Sequence, residues 1–255
     1  MHKNTKFIST GLMALTALSA SVIHADESTQ KDSPRLGVGL ALVDLGQPYD
    51  TDEALGGVAL FLEYHGERIN VDYDHISYSV LKNENLTFDV LGQVRFLGYE
   101  ADDDKIFKGM EDRDLAFEIG GKLSLHNSLG TVSLALLADP DTAHEGHAAY
   151  LEVDKKFQAG AWTLNPTVGV NWQSDKVTDY YYGVRNSEAT ATRAAFKGKD
   201  AVIPYVDFDA SRKFGENWKV GLMLNYKYYP DEVTDSPLVK DEHIISAGAR
   251  ASYFF

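Results

Sequence analysis

Apolar and polar residues alternate with a period of two along most of the chain after residue 34, and no long helical period interrupts them. In AWTLNPTVGVNWQ one column is apolar from Trp162 to Trp172, while the other column is polar or small. NWKVGLMLNYKYY and DLAFEIGGKLSLH repeat this arrangement. Because successive side chains of a strand point to opposite faces, the pattern predicts strands with one apolar face.

The apolar columns end on aromatic residues, such as Trp162 and Trp172, or Trp218 and Tyr228. Aromatic rings at both ends of an apolar band are typical of lipid-facing strands, since amphipathic rings favour the headgroup level. The strands span roughly 10 residues or more, which is enough to cross a bilayer at a tilt. The predicted fold is therefore all-β: a transmembrane antiparallel β-barrel of the bacterial outer membrane.

Long and short connections alternate backwards from Phe255, as expected for external loops and periplasmic turns. The longer connections cover residues 230–241, 174–200, 139–146 and 99–113, and the short ones cover 214–217, 158–160, 127–130 and 82–85. The region between residues 56 and 81 allows either three short strands or one long strand with bulges. We prefer three, and hence 12 strands rather than 10, because Gly66 with its neighbours His65 and Glu67 indicates a turn.

The polar columns carry charges of both signs, and in a barrel they would point into the lumen. They are Asp89, Arg95, Glu118, Lys122, Glu152, Asp154, Asp207, Asp209, Lys227 and Arg250. We expect these acids and bases to pair across a narrow lumen and fill it. A selectivity filter for a narrow small-solute pore is the alternative.

The first 25 residues have a basic start, a short apolar run and a small residue, Ala25, before Asp26, which predicts a cleaved signal peptide. Residues 26–34 would form a short periplasmic tail and residues 35–255 the barrel. The net charge is −14, and losing Lys3 and Lys6 makes the mature chain more acidic, which argues against nucleic acid as a partner. The chain has no cysteine, so thiol chemistry and disulfides are excluded.

The chain ends HIISAGARASYFF, in which Tyr253 closes an apolar column and Phe255 is the last residue. This ending resembles the final strand of outer-membrane barrels, in which the terminal aromatic is part of the signal read by the barrel assembly machinery. We expect Tyr253 and Phe255 to serve as that signal.

Catalytic motifs are weak in this sequence, and we expect neither an enzyme nor a cofactor or metal centre. HEGH places His144 and His147 three apart, whereas HExxH needs four on a helix. Ser124 and His126 share one strand face, but a polar lumen lining explains them equally well.

The loop acids Asp102, Asp103 and Asp104 suggest a weak divalent-cation site that could bridge to lipopolysaccharide phosphates. A solvated acidic loop is the alternative interpretation of this cluster.

Three adjacent tyrosines, Tyr180 to Tyr182, begin the segment YYYGV in the longest external loop. We expect them at the outer rim, where the rings meet lipid headgroups on one side and loop or lumen on the other, with Gly183 supplying a bend. A ligand site that presents aromatic rings is the alternative.

Four segments together resemble the MipA/OmpV family of outer-membrane proteins, over most of residues 35–255. They are DYYYGVRNSEA, SPLV (Ser236 to Val239), ADPDTAHEGHAAYLEV and the ending YFF. The most specific residues are Tyr181, Tyr182, Gly183, Val184 and Glu188.

The resemblance implies a non-enzymatic barrel of the Gram-negative envelope, in contact with outer-membrane lipid and lipopolysaccharide. It further implies a peptidoglycan-associated scaffold that links a murein hydrolase, such as a lytic murein transglycosylase, to a murein synthase. A narrow pore and a surface antigen or adhesin remain alternatives. Periplasmic turns of only a few residues offer little surface to such partners.

Overall fold

A computed structural model describes residues 35–51, 55–140 and 143–255. The predicted signal peptide and periplasmic tail lie outside these residues, so both remain predictions. Neither helix in the described part of the chain is long and apolar enough to cross a membrane.

Thirteen strand segments and two helices make up the described fold. They are β1 (Arg35–Leu45), β2 (Leu55–His65), β3 (Ile69–Val71), β4 (His75–Lys82), β5 (Leu86–Arg95), β6 (Ala116–Asn127), β7 (Gly130–Ala138), β8 (His147–Asp154), β9 (Phe157–Ala159), β10 (Trp162–Gln173), α1 (Asp175–Tyr182), β11 (Ala201–Phe214), β12 (Trp218–Tyr228), α2 (Asp231–Thr234) and β13 (His243–Phe254). Each strand pairs antiparallel with its neighbours, and β13 pairs with β1, which closes the barrel. Segments β8 and β9 both pair with β10 and form one interrupted strand. The barrel therefore has 12 strands, which confirms the preferred count.

The two faces of each strand differ as the alternation predicts. Outward apolar side chains are among the most exposed in the molecule, with Leu60 at 66% and Val168 at 60%. Inward charged side chains such as Glu118 and Lys122 are almost fully buried. In water, apolar side chains would be buried and charged side chains exposed. The reverse arrangement seen here requires lipid around the strands. The chain is a protein of the outer membrane.

Apart from the short turn at 72–74, long connections emerge at one end of the barrel and short turns at the other, which confirms the predicted alternation. The connections at 174–200 and 139–146 begin and end where the sequence predicts. The turn expected at 158–160 lies two residues further on, because Phe157–Ala159 still pairs with β10. By the rule for such barrels, the long connections are external.

The wall is irregular at β3, which is much shorter than the strand expected from ERINVDYD. It pairs with β2 only through Tyr64↔Val71 and His65↔Asn70, before residues 72–74 turn the chain into β4. Among the described residues, the β2 edge from Leu55 to Glu63 has no ladder partner on this side. We call this place the β2–β3 seam.

Candidate functional site

The long connections pack over the external end of the barrel around a shared hydrophobic core. We call residues 46–51, 96–115, 174–200 and 229–242 the external lid. The hydrophobic lid residues with no measurable exposure are Val177, Tyr181, Tyr182, Val233 and Leu238. Because side chains from all four segments contribute to one core, the lid is a packed unit and not a set of separate loops.

Helix α1 carries the three tyrosines, and the prediction that their rings meet lipid headgroups is wrong for Tyr181 and Tyr182. Both are fully buried in the lid core. Tyr49 donates a hydrogen bond to the Tyr181 carbonyl (3.1 Å), and Ser236 donates one to the Tyr182 carbonyl (2.6 Å). The helix spreads consecutive side chains around its axis, so adjacent rings can all contact protein when the lid surrounds the helix.

Gly183 follows α1 in an ordinary extended conformation, with φ of −69°. A residue with a side chain would not fit at this position, because its Cβ atom would lie 2.1 Å from the Asp179 carbonyl oxygen. Glycine is therefore needed here for a close approach to the last turn of α1 and not for a bend. The Gly183 N–H donates a hydrogen bond to the Asp179 carbonyl oxygen.

Glu188 and Arg113 form a buried ion pair beneath the surface of the lid. Arg113 Nη2 lies 3.0 Å from Oε1 and 3.2 Å from Oε2 of Glu188. The carboxylate also accepts backbone N–H bonds from Glu111 (3.0 Å) and Arg185 (2.9 Å). Burial would raise the pKa of Glu188, but these hydrogen bonds and the Arg113 charge together hold it below its usual value.

Arg113 also connects the ion pair to α1. Its Nε donates to the Tyr180 carbonyl (2.7 Å), and its guanidinium lies over the rings of Tyr99 and Tyr180. Burial raises the pKa of Tyr99 to about 12, so its ring stays neutral in the lid. The family-motif residues are thus brought together with the loop at 96–115, which the sequence did not predict.

Below the lid, Glu118 is the centre of a buried polar cluster in the lumen. It accepts from Arg95 Nη2 (2.7 Å) and Gln93 Nε2 (2.8 Å), and His144 Nε2 lies 3.3 Å away. His144 Nδ1 accepts the Gly146 N–H (2.9 Å), so the neutral ring carries its proton on Nε2, which faces Glu118.

Arg250 Nη2 lies 2.8 Å from Asp209 Oδ2, which confirms the expected pairing of acids and bases for these two lumen residues. Lys122 Nζ lies 4.0 Å from Glu152 Oε2 and makes no hydrogen bond among the described residues. A buried charge needs such a partner, because desolvation would otherwise penalise the charged form heavily.

Ser124 and His126 are not joined as a nucleophile and base. Ser124 Oγ hydrogen-bonds Ser133 Oγ (2.9 Å), while His126 Nε2 hydrogen-bonds Thr87 Oγ1 (2.9 Å). Both residues therefore serve cross-strand contacts in the lumen. The HEGH histidines also separate, since His144 is buried and His147 is exposed at the start of β8.

Asp102, Asp103 and Asp104 lie together in one turn of the lid, with Asp102 exposed. Asp103 Oδ2 accepts the Glu100 N–H (2.7 Å), and Asp104 accepts from Ile106 N and Thr51 Oγ1 (both 3.0 Å). These bonds brace the turn and tie it to the first loop. The divalent-cation site here stays a prediction.

Sequence reasoning missed one group of ligand-type residues: Glu63, His65 and Asp72 at the β2–β3 seam. The available signal was Glu-x-His within a predicted strand, which places both side chains on one face. The proximity of Asp72 to these two residues could not be predicted from the sequence, because it depends on the short length of β3.

The family model for "MltA-interacting protein MipA" matches residues 36–255. The chain belongs to this family. OmpV of Vibrio cholerae, named an outer membrane protein, is 26% identical over all of both chains. The MltA-interacting protein of Escherichia coli K12 is 27% identical over 92% of this chain and 93% of its own. A COG4313 outer membrane channel from Pseudomonas putida F1 aligns over 91% of this chain and all of that chain, at 9% identity and a TM-score of 0.41.

Proposed function

We propose that this MipA-family barrel is a closed, non-enzymatic structural protein that links a murein hydrolase to a murein synthase at the outer membrane. The observation that carries the proposal is the external lid, whose core is continuous across four loops. A barrel capped in this way, above a lumen of paired charges, is poorly suited to carry solutes. Its function would then depend on the proteins that it binds and not on transport through the lumen.

The partner class is inferred from the relative named MltA-interacting protein. A murein enzyme would meet the short-turn end, where Leu129 is 81% exposed and Phe255 is 71% exposed. The turns at 66–68, 83–85, 128–129, 160–161 and 215–217 share this end with the predicted tail, residues 26–34. Together they must supply about 800 Å², the area one partner buries in a standard interface.

Site-specific photo-crosslinking in intact envelopes tests the proposal. A photoreactive residue at position 129 should capture a murein transglycosylase or synthase, while the same residue at position 191, exposed in the external lid, should capture neither. Absence of both enzymes at 129, or their equal capture at 191, would overturn the scaffold proposal.

A narrow pore is the second candidate, and the charged lumen around Glu118 and Lys122 favours it. Planar-bilayer recording separates the two functions. The scaffold proposal expects no steady open current. A steady current that changes with Glu118→Ala or Lys122→Ala would establish the pore instead.

A further inference from the structure

The β2–β3 seam brings two carboxylates together inside the barrel, those of Glu63 and Asp72. The ladder ends at Tyr64↔Val71, one residue before this pair, and the register continued by one residue would bring Glu63 opposite Asp72. Both of these side chains are buried, with Glu63 at 1% exposure. Two ionised carboxylates this close repel each other, so a cation bound between them would stabilise the arrangement.

His65 completes the group, because it lies two residues from Glu63 on the same strand face. One ligand-type atom from each of Glu63, His65 and Asp72 lies within 4.8 Å of the other two. His65 Nε2 is 3.4 Å from Glu63 Oε2. The three side chains therefore converge on one point in the lumen.

Two of the converging oxygens accept no hydrogen bond of good geometry among the described residues, although His65 Nε2 approaches one of them, Glu63 Oε2, at 3.4 Å. They are Glu63 Oε2 and Asp72 Oδ1, and both are buried. The other Glu63 oxygen, Oε1, accepts a hydrogen bond from Ser252 Oγ (3.0 Å), which fixes the orientation of the carboxylate. Buried acceptors in proteins are almost always satisfied, so this pair of oxygens points to a bound ligand.

His65, when protonated, is a protein cation close to Glu63, whereas the neighbouring arginine and lysine act from further away. The Nη2 of Arg250 bonds Asp209 at 2.8 Å, and its Nε and Nη1 make no hydrogen bond among the described residues. Lys219 also acts on Glu63 only through its field. His75 faces Asp72 from the far side of the turn and is hydrogen-bonded to Asp74 (2.7 Å).

We propose that Glu63, His65 and Asp72 form a binding site for a divalent first-row transition ion, with Zn²⁺ as its representative. One imidazole and two carboxylates match the ligands of zinc, whereas calcium favours six to eight oxygens. The site leaves a fourth coordination position open. By joining β2 to β3, the ion would clamp the barrel wall where its hydrogen-bonded ladder is shortest.

The test uses the mature chain, purified in detergent without a polyhistidine tag. Titration with Zn²⁺ should show one saturable site per chain, and X-ray absorption should show only nitrogen and oxygen ligands. The unfolding temperature should rise with Zn²⁺, because a ligand that binds only the folded state stabilises it. No saturable binding, or binding of Ca²⁺ in preference to Zn²⁺, would overturn the site.

Asp72→Asn and His65→Gln should each raise the Zn²⁺ dissociation constant by about tenfold or more and abolish the thermal shift. His147→Gln is the matched control, because His147 is an exposed histidine on β8. It should bind Zn²⁺ like the parent protein. If either seam variant kept the parent affinity, or if the control lost it equally, the assignment would be wrong. Two independent seam variants guard against a failure of one to fold.

Discussion

Arg113 holds both carboxylate oxygens of Glu188, at 3.0 and 3.2 Å, and so joins two external loops whose contacting residues lie 75 positions apart. Both side chains are almost fully buried, at 1% and 3% exposure. Glu188, a residue of the family motif, thus links the loop at 174–200 to the loop at 96–115 within the lid.

Glu188→Ala should loosen the lid strongly, because it leaves the Arg113 charge buried without its partner. Breaking one side of a buried ion pair costs about 3–5 kcal/mol. Hydrogen exchange across residues 174–200 should become faster. The control is Glu111→Ala, which removes an exposed ion pair with Arg185 and should change exchange little. Equal effects of the two variants would show that burial of the pair does not matter.

Acid should weaken the lid through the same pair. The pKa of Glu188 is lowered in the folded protein, so its stabilising contribution is complete above the unfolded pKa of about 4.3. It is lost as the pH falls from there through the lower folded pKa. Hydrogen exchange of the lid, corrected for intrinsic rates, should show this loss as the pH falls below about 4.3. Glu188→Gln should remove this part of the pH dependence, whereas an unchanged profile would refute the assignment.

Leu238→Ala should destabilise the lid by about 2–5 kcal/mol, because it leaves a cavity in a fully buried core. Protease accessibility of the external loops measures the effect. Leu129→Ala serves as the matched control, since Leu129 is 81% exposed in a short turn and should change stability by less than about 0.5 kcal/mol. Similar digestion of both variants would argue against a packed lid.

Deleting Phe255 should reduce assembly into the outer membrane. The Phe255 N–H donates to the Leu36 carbonyl (2.9 Å), and its ring contacts Tyr253 at a centroid distance of 5.3 Å. The folded fraction in isolated outer membranes can be read from heat-modifiable migration on gels. Phe214→Ala removes another exposed ring near the same end and should assemble normally. Normal insertion of the truncated chain would exclude the terminal signal.

Most of the barrel could be predicted from the sequence, because the two-residue period is a local property of each strand. The bounds of β1 and the turn at 214–217 follow directly from it. The short β3 could not be predicted in this way. Its length depends on where β2 and β4 allow it to pair, and that is a non-local constraint.

Tyr181 and Tyr182 illustrate a second limit of structure prediction from the sequence. Sequence alternation gave no reason to place a helix at Asp175–Tyr182, and the lid around it is assembled from four distant segments. Exposure of Tyr181 and Tyr182 therefore could not be inferred from their neighbours in the chain.

The sequence alone predicted the barrel, its lipid-facing columns and its family, and favoured 12 strands over 10, since these depend on side-chain period, turn spacing and motif residues. Only the tertiary structure decided that Glu188 meets Arg113 and that Glu63 lies close to Asp72. Each of these pairs depends on loop packing or strand register between separate parts of the chain. The same residues could have been solvated in another packing, whereas in this one burial makes an unpaired carboxylate charge costly.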